Sequence, residues 1–342
     1  MTTSMTTSQT TTSTSPATEP AAAHDTPPAE RLVLGAMMFG TAVDEATSFA
    51  VLDRFVEAGG RWIDTADCYA FWASESGYGG QSEELLGRWF AARPGVRDRI
   101  LLATKFGAEP RDAANWPASR TGLSPAAIRE QITGSLRRLG TDHVDLAWGH
   151  MEDRSVPVEE TADACAALVS DGVTARIGLS NHPAWRVERA RRHAVAQGVE
   201  PFSVLQHAYS YLQPRPGTLT GNHRFGWLSD ELADLAAVEG LDVWAYTPLL
   251  SGAYDNPAKP IPEIFDHPGS TQRLAVLDEV AAEVGASRGQ VVLAWLVARG
   301  IRPMLGGSKV HQLDTAVEGV GLTLPPDLLD RLNGVDVTPP SA

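Results

Sequence analysis

From position 31 onward the chain alternates short apolar runs with longer stretches in which apolar side chains recur every three or four positions. The short runs have the pattern of buried strands, and the longer ones that of amphipathic helices. Strands are predicted at 31–34, 62–64, 100–105, 144–150, 176–179, 203–208, 242–246 and 302–305. A helix is expected after each. The first spans 44–58 and stops at Gly59-Gly60, and the second is expected to be capped by Ser82 with Glu83 and Glu84 in its first turn. In the third, Ser124-Pro125 reads as a cap followed by proline at the first helical position, and Ile128, Ile132, Leu136 and Leu139 form one apolar face. Later helices are expected from about Val158 to Gly172, from Pro183 to Gly198, from Ser229 to Gly240, over 271–284 and 287–298, and briefly after Lys309, with a last piece at 325–333.

Strands that alternate with helices make a parallel sheet, and eight such units point to a (β/α)8 TIM barrel. The competing architecture, a doubly wound open sheet, lacks its dinucleotide fingerprint. Gly77 and Gly79 begin one, but its third glycine position is Ser82 and no strand immediately precedes them. The barrel is assigned to 31–335, between a Thr/Ser/Pro/Ala-rich tail at 1–30, expected to be disordered, and a C-terminal tail at 336–342.

Composition narrows the function classes. A net charge of −14 argues against nucleic acid or an anionic membrane as a partner, since either requires a basic face. The only basic cluster, 189–193, is expected to be a solvated helix face. Two cysteines, Cys68 and Cys165, do not make a disulfide framework and suit a reducing compartment. Cys68 stands close to the candidate site and reads as a small buried side chain. The first thirty residues lack Lys and Arg, which fits neither a signal nor a transit peptide, and no apolar run reaches the length of a membrane span. A cytoplasmic protein is expected.

The chemistry concentrates where strands end. Asp64, Lys105 and His150 stand at the ends of three consecutive strands, and Tyr69 lies in the loop that follows Asp64. Neighbouring strands lie about 4.8 Å apart, so such residues can touch. An ionised Asp is costly to bury without a cation, and Lys105 supplies one. An ammonium beside a phenol is expected to lower its pKa, and His150 is expected to donate a hydrogen bond to a substrate oxygen. The group suits protonation of an oxygen becoming an alkoxide, and it needs an external hydride donor.

Several stretches then resemble the aldo-keto reductases: DTADCY (64–69), GQSEELLG (80–87), TKFG (104–107), SLRRLGTDHVDL with His150 beyond it, GLSNH (178–182), AYTPLLSG (245–252) and GGSK (306–309). The resemblance covers 31 to about 333. It implies a TIM barrel that reduces an aldehyde or ketone to the alcohol with NADPH, NADH being possible, as an enzyme of the alcohol dehydrogenase or carbonyl reductase type. It makes Asp64, Tyr69, Lys105 and His150 the catalytic tetrad, with Tyr69 as general acid. It puts Ser180, Asn181 and Gln206 on the nicotinamide carboxamide and stacks Tyr246 on the ring. Thr247, Leu249 and Ser251 fall in the loop over the pyrophosphate. Gly35, Ala36 and Met37, and later Gly307, Ser308, Lys309 and Gln312, complete the cofactor positions, Lys309 matching the 2′-phosphate contact. The sequence departs from the family at Ser308, usually basic, at Gln312, usually arginine, and at Ala316, usually asparagine. Phe71, Trp72 and Trp148 are candidates for the substrate pocket, although packing of the loop on the barrel would also account for Phe71 and Trp72.

No metal is implied, and the partner expected is a small carbonyl compound. Two alternatives remain at this stage. Proteins of this fold family also serve as cofactor-binding regulatory subunits of a membrane channel. The GLSNH turn resembles a hydrolase elbow using Ser180, but His182 occupies its final glycine position.

Overall fold

The computed structural model describes residues 26–219 and 224–335. Among these residues eight parallel strands close into a barrel in chain order: β1 (Val33–Gly35), β2 (Trp62–Asp64), β3 (Leu101–Phe106), β4 (Val144–Gly149), β5 (Thr174–Ser180), β6 (Val204–Ala208), β7 (Asp242–Tyr246) and β8 (Ile301–Gly306). The ring closes because β1 pairs with both β2 and β8, Gly35 lying between Asp64 and Gly306. The expected TIM barrel is present, each strand within one or two residues of its predicted limits.

Around it run α1 (Glu45–Glu57), α2 (Gln81–Ala92), α3 (Pro125–Leu139), α4 (Val158–Ser170), α5 (Ala184–Gln197), α6 (Asp230–Glu239), α7 (Pro268–Val284), α8 (Arg288–Ala298), α9 (Val310–Gly321) and α10 (Pro326–Asn333). Their starts follow from local chemistry. The side chains of Asp44, Ser124, Ser229 and Ser287 each accept a backbone N–H of the first turn, and Gln290 returns a bond to Ser287 to complete a capping box. The expected cap at Ser82 is not made. The N-cap of α2 is Gly80, at φ +109°, and Ser82 turns inward to donate to the Ala36 carbonyl at 2.8 Å and to share a 2.7 Å hydrogen bond with the Thr65 hydroxyl. The 189–193 stretch is more than a solvated face: Arg191 is buried, bonding the Phe202 carbonyl and Glu239, while Arg189 and His193 meet Glu159 and Asp163 of α4.

Ordered packing begins before 31. Pro28–Arg31 forms one 3-10 turn, Ala29 is fully buried, and Arg302 donates to the Glu30 carbonyl. Most of the assigned N-terminal tail, 1–25, and the C-terminal tail, 336–342, lie outside the described residues.

Two apolar layers stabilise the fold. The larger one lies between strands and helices. The smaller fills the barrel itself with Val33, Trp62, Ala103, Leu146, Trp148, Val204, Trp244 and Met304. Trp244 is its centre, with edge-to-face contacts to Trp62 at 4.9 Å and Trp148 at 5.2 Å. This plug fills the middle of the barrel and separates the polar residues at its mouth from Arg176, Asp242 and Arg302 at the strand starts below. Trp148 fits because its register partner on β5 is Gly178, where a Cβ would stand 2.4 Å from the indole. Neither the ring, held by Trp244, nor the Val204 carbonyl 2.9 Å from that Cβ has room to retreat. Gly178→Ala is therefore expected to destabilise the protein by about 1–3 kcal/mol, seen as a lower urea midpoint at unchanged slope.

Candidate active site

The strand register steps the polar residues around the barrel mouth. Asp64 on β2 is level with Ala103, so Lys105 stands one inward position higher on β3, opposite Trp148. From there its fully buried side chain bends back. The ammonium donates to Asp64 Oδ2, to the Thr65 carbonyl at 2.9 Å and to the Tyr69 hydroxyl oxygen at 2.8 Å. Gln206 gives Asp64 Oδ1 a further hydrogen bond at 3.2 Å. Tyr69 and His150 meet edge to face at 5.8 Å, just beyond the ends of β2 and β4. The four predicted tetrad residues are thus in one group.

The electrostatics differ from expectation at Tyr69. Lys105 was expected to acidify the phenol. Instead burial, followed by the nearby Asp64, Cys68 and Asp67, pushes it well above its usual value, so it stays protonated at neutral pH. Because the hydroxyl oxygen accepts from Lys105, its own proton is left to be donated elsewhere. Burial also raises the Asp64 carboxyl, with Lys105 and Gln206 opposing. Burial and the Lys105 charge hold His150 well below the usual histidine range, so it is a neutral imidazole.

Above the tetrad lies a cavity of about 930 Å3. It has three walls. One contains Ser180, Asn181, Gln206 and Tyr246. The second runs along Thr247, Leu249 and Ser251 to Gly307, Ser308 and Gln312 beside the start of α9, with Gly35 and Met37 opposite. The third is apolar: Phe71, Trp72, Trp116, Met151 and Met38.

Most predicted cofactor positions therefore face one continuous space. Exceptions have clear causes. Ala36 is fully buried, and its N–H is taken by the Asp64 carbonyl at 2.8 Å. Lys309 is the exposed N-cap of α9, between Ser308 and His311, which do line the cavity. Ser308 and Gln312, where basic residues were expected, bond to each other at 2.8 Å. Trp148 is not a pocket residue: it is fully buried in the barrel plug, where its ring packs on Trp244 in the space left by Gly178.

The Ser180–Asn181–His182 turn is built for display. Asn181 adopts φ +60° and has its amide oxygen bonded by the Tyr246 hydroxyl at 2.7 Å, while its amide nitrogen donates to the His150 carbonyl and the Ser180 hydroxyl. His182 turns Nδ1 to the Ser180 carbonyl, and His207, buried behind it, bonds the His182 carbonyl at 3.1 Å. No imidazole bonds the Ser180 hydroxyl among the described residues, so a nucleophilic Ser180 lacks the base that a hydrolase needs.

Sequence reasoning missed a second buried network. Glu83, assigned to a helix dipole, is fully buried and accepts from Thr104 at 2.5 Å and from Arg138 at 2.7 Å. The GQSEELLG and SLRRLG stretches meet through this ion pair. Glu109 accepts the Gly79 N–H at 2.9 Å and is pushed up to about 7, mainly by burial. Trp116 packs on Phe71 at 5.3 Å and donates its indole N–H to the Ala108 carbonyl, tying the loop after β3 to the loop after β2.

Comparison with known proteins agrees with this geometry. A model of the Aldo/keto reductase family matches residues 31–337. The chain is 31% identical over 317 residues to "Uncharacterized oxidoreductase YrpG" of Bacillus subtilis, covering 89% of this chain and 91% of that protein. It is 32% identical over 309 residues to norsolorinic acid reductase stcV of Emericella nidulans, covering 86% and 74% respectively. It is 28% identical over 331 residues to an aryl-alcohol dehydrogenase [NADP(+)] of Phanerodontia chrysosporium, covering 88% and 80%.

The Glu83–Arg138 pair has a measurable consequence. Removing Arg138, whose side chain is 21% exposed, strands a carboxylate that is 0% exposed. Arg138→Ala is expected to cost about 3–5 kcal/mol in urea unfolding, and the double variant Glu83→Gln/Arg138→Met considerably less.

Proposed function

Because the chain belongs to the aldo/keto reductase family, whose members generally use nicotinamide cofactors, we propose that it reduces an aldehyde or ketone to the alcohol with NADPH, with Tyr69 as general acid. The observation that carries this reading is the Lys105 ammonium. It is anchored by Asp64 and donates to a phenol oxygen whose ring lines the cavity.

A dinucleotide suits the cleft on two grounds. The cavity runs unbroken from Asn181 and Tyr246 to Ser308 and Gln312, and its polar wall offers amide and hydroxyl groups beside the N-terminus of α9, a natural phosphate site. Ser180, Asn181 and Gln206 would hold the carboxamide end, Tyr246 would face the ring, and the 247–251 loop and Lys309 would hold the phosphates. The bound nicotinamide supplies the hydride. The protein's residues do the rest. Neutral His150 orients the substrate oxygen by hydrogen bonding. Tyr69 delivers its proton as negative charge develops on that oxygen, and Lys105 stabilises the phenolate left behind.

The apolar wall of Phe71, Trp72 and Trp116 suits a flat aromatic carbonyl, in keeping with the name of the aryl-alcohol relative. The two free buried thiols are compatible with a reducing cytoplasm.

The direct test is titration with NADPH and NADH by tryptophan quenching, then addition of aryl aldehydes and ketones while cofactor absorbance is followed. Binding without turnover of any carbonyl would favour the regulatory role. Failure to bind either nucleotide would refute the proposal.

Tyr69→Phe is expected to lower kcat by about 10²–10⁴-fold while the NADPH Kd stays near wild type. Since the phenol is raised and His150 lowered, both keep their working protonation states through neutrality, so kcat/KM should be flat between about pH 7 and 9. A rate that falls as pH rises through 8 would contradict the assignment of the acid. Lys309→Ala is expected to weaken NADPH by about tenfold and leave NADH unchanged, because Ser308 and Gln312 bring no second cation to the 2′-phosphate.

A further inference from the structure

Behind the tyrosine lie two donors that carbonyl reduction does not use, Asp67 and Cys68, against the unused Nδ1 side of His150. We propose that Asp67, Cys68 and His150 bind one divalent cation of zinc-like softness. One donor atom from each of the three lies within 4.8 Å of the others. Cys68 Sγ stands 3.6 Å from His150 Nδ1. Two ligands of a tetrahedral zinc, with Zn–S about 2.3 Å and Zn–N about 2.0–2.1 Å, are separated by about 3.6 Å.

The third donor is the independent observation. Asp67 is 2% exposed, yet neither of its carboxylate oxygens has a partner in hydrogen-bonding geometry, and only the adjacent Cys68 backbone N–H acts on it from nearby. Buried carboxylates almost always have partners, and an unpaired one directed at a thiol and an imidazole is an open acceptor. Acidic groups outnumber cations around it. Asp64, Asp67, Glu83 and Glu109 face Lys105 and Arg138, and those two cations are already engaged by Asp64 and Glu83. A dication would offset the remaining carboxylates.

The donor set of thiolate, imidazole and carboxylate is one that zinc favours and that magnesium or calcium does not. Entry is possible because Cys68 and His150 both line the large cavity, which can also supply a water as fourth ligand. On coordination the Cys68 thiol gives its proton to solvent. With Nδ1 on the metal, His150 must carry its N–H on Nε2, which makes it a fixed hydrogen-bond donor. The inference goes beyond the proposed reductase activity, and its test does not read turnover.

Untagged, thiol-reduced, chelator-stripped full-length protein should be titrated with Co2+ under nitrogen. The expected result is a thiolate-to-cobalt charge-transfer band with visible bands of tetrahedral intensity, saturating at one ion per chain and bleached by one equivalent of Zn2+. The band should be absent in Cys68→Ser and kept in Cys165→Ser, whose thiol lies in the helix core. Asp67→Asn should weaken binding by at least about tenfold. Absence of the band in the wild-type protein, or its persistence in Cys68→Ser, would overturn the site. So would unchanged affinity in Asp67→Asn, which would leave Asp67 as a carboxyl neutralised by a proton.

Discussion

The contact between Lys105 and Asp64 is the constraint around which the barrel mouth is arranged. An ammonium with no exposure to solvent cannot stand alone, and its three donor directions are all used: a carboxylate, the Thr65 carbonyl and the Tyr69 hydroxyl. Each partner in turn fixes something else. Asp64 is held by Gln206 across the barrel, and Thr65 is tied through Ser82 to Ala36, beside β1. The Tyr69 phenol is therefore placed by a network that reaches β2, β3, β6, α2 and the end of β1. The aromatic plug beneath keeps that network out of the barrel core, and the cavity opens above it.

Much of this was legible in the sequence, for identifiable reasons. Alternation of strand and helix patterns is a local signal, and it located the barrel. Strand ends are the one place in such a barrel where a polar inward residue can function, so Asp64, Lys105 and His150 could be found from period and position. The same logic fails at Trp148. It stands level with Lys105, so position alone does not separate the two; the apolar ring packs down on Trp244 over Gly178, while the ammonium must reach the polar mouth. Ser82 was misread because caps are inferred from residue type, while its hydroxyl is claimed by a tertiary contact with Thr65 and Ala36. Glu83, Glu109 and Asp67 could not have been grouped by any local rule. They come from α2, the loop after β3 and the loop after β2, and only folding makes them neighbours. His207 likewise gave no signal, since its role is to hold a carbonyl in another unit.

The structure divides labour between its loops. Most positions expected to meet a cofactor lie at the ends of β5 to β8 and the start of α9, where Asn181, Thr247, Leu250 and Ser251 all adopt positive φ without being glycine. Such backbone is strained, and it persists only where the surroundings over-determine it. The apolar wall, by contrast, comes from the loops after β2 and β3, with Met38 from the loop after β1 and Met151 from the loop after β4.

Those two loops are not free fingers. Gly79 donates to Glu109, Trp116 is bonded at Ala108 and packs on Phe71, and Gly79 lies so close to Cys68 that a Cβ there would stand 2.4 Å from its backbone. The wall thus behaves as a single rigid slot. A guest that fits it forfeits little protein entropy on arrival, and one of the wrong outline gains nothing from adaptation. Selectivity in such a slot would be a matter of shape set during folding, and new guests would be admitted by recutting the wall.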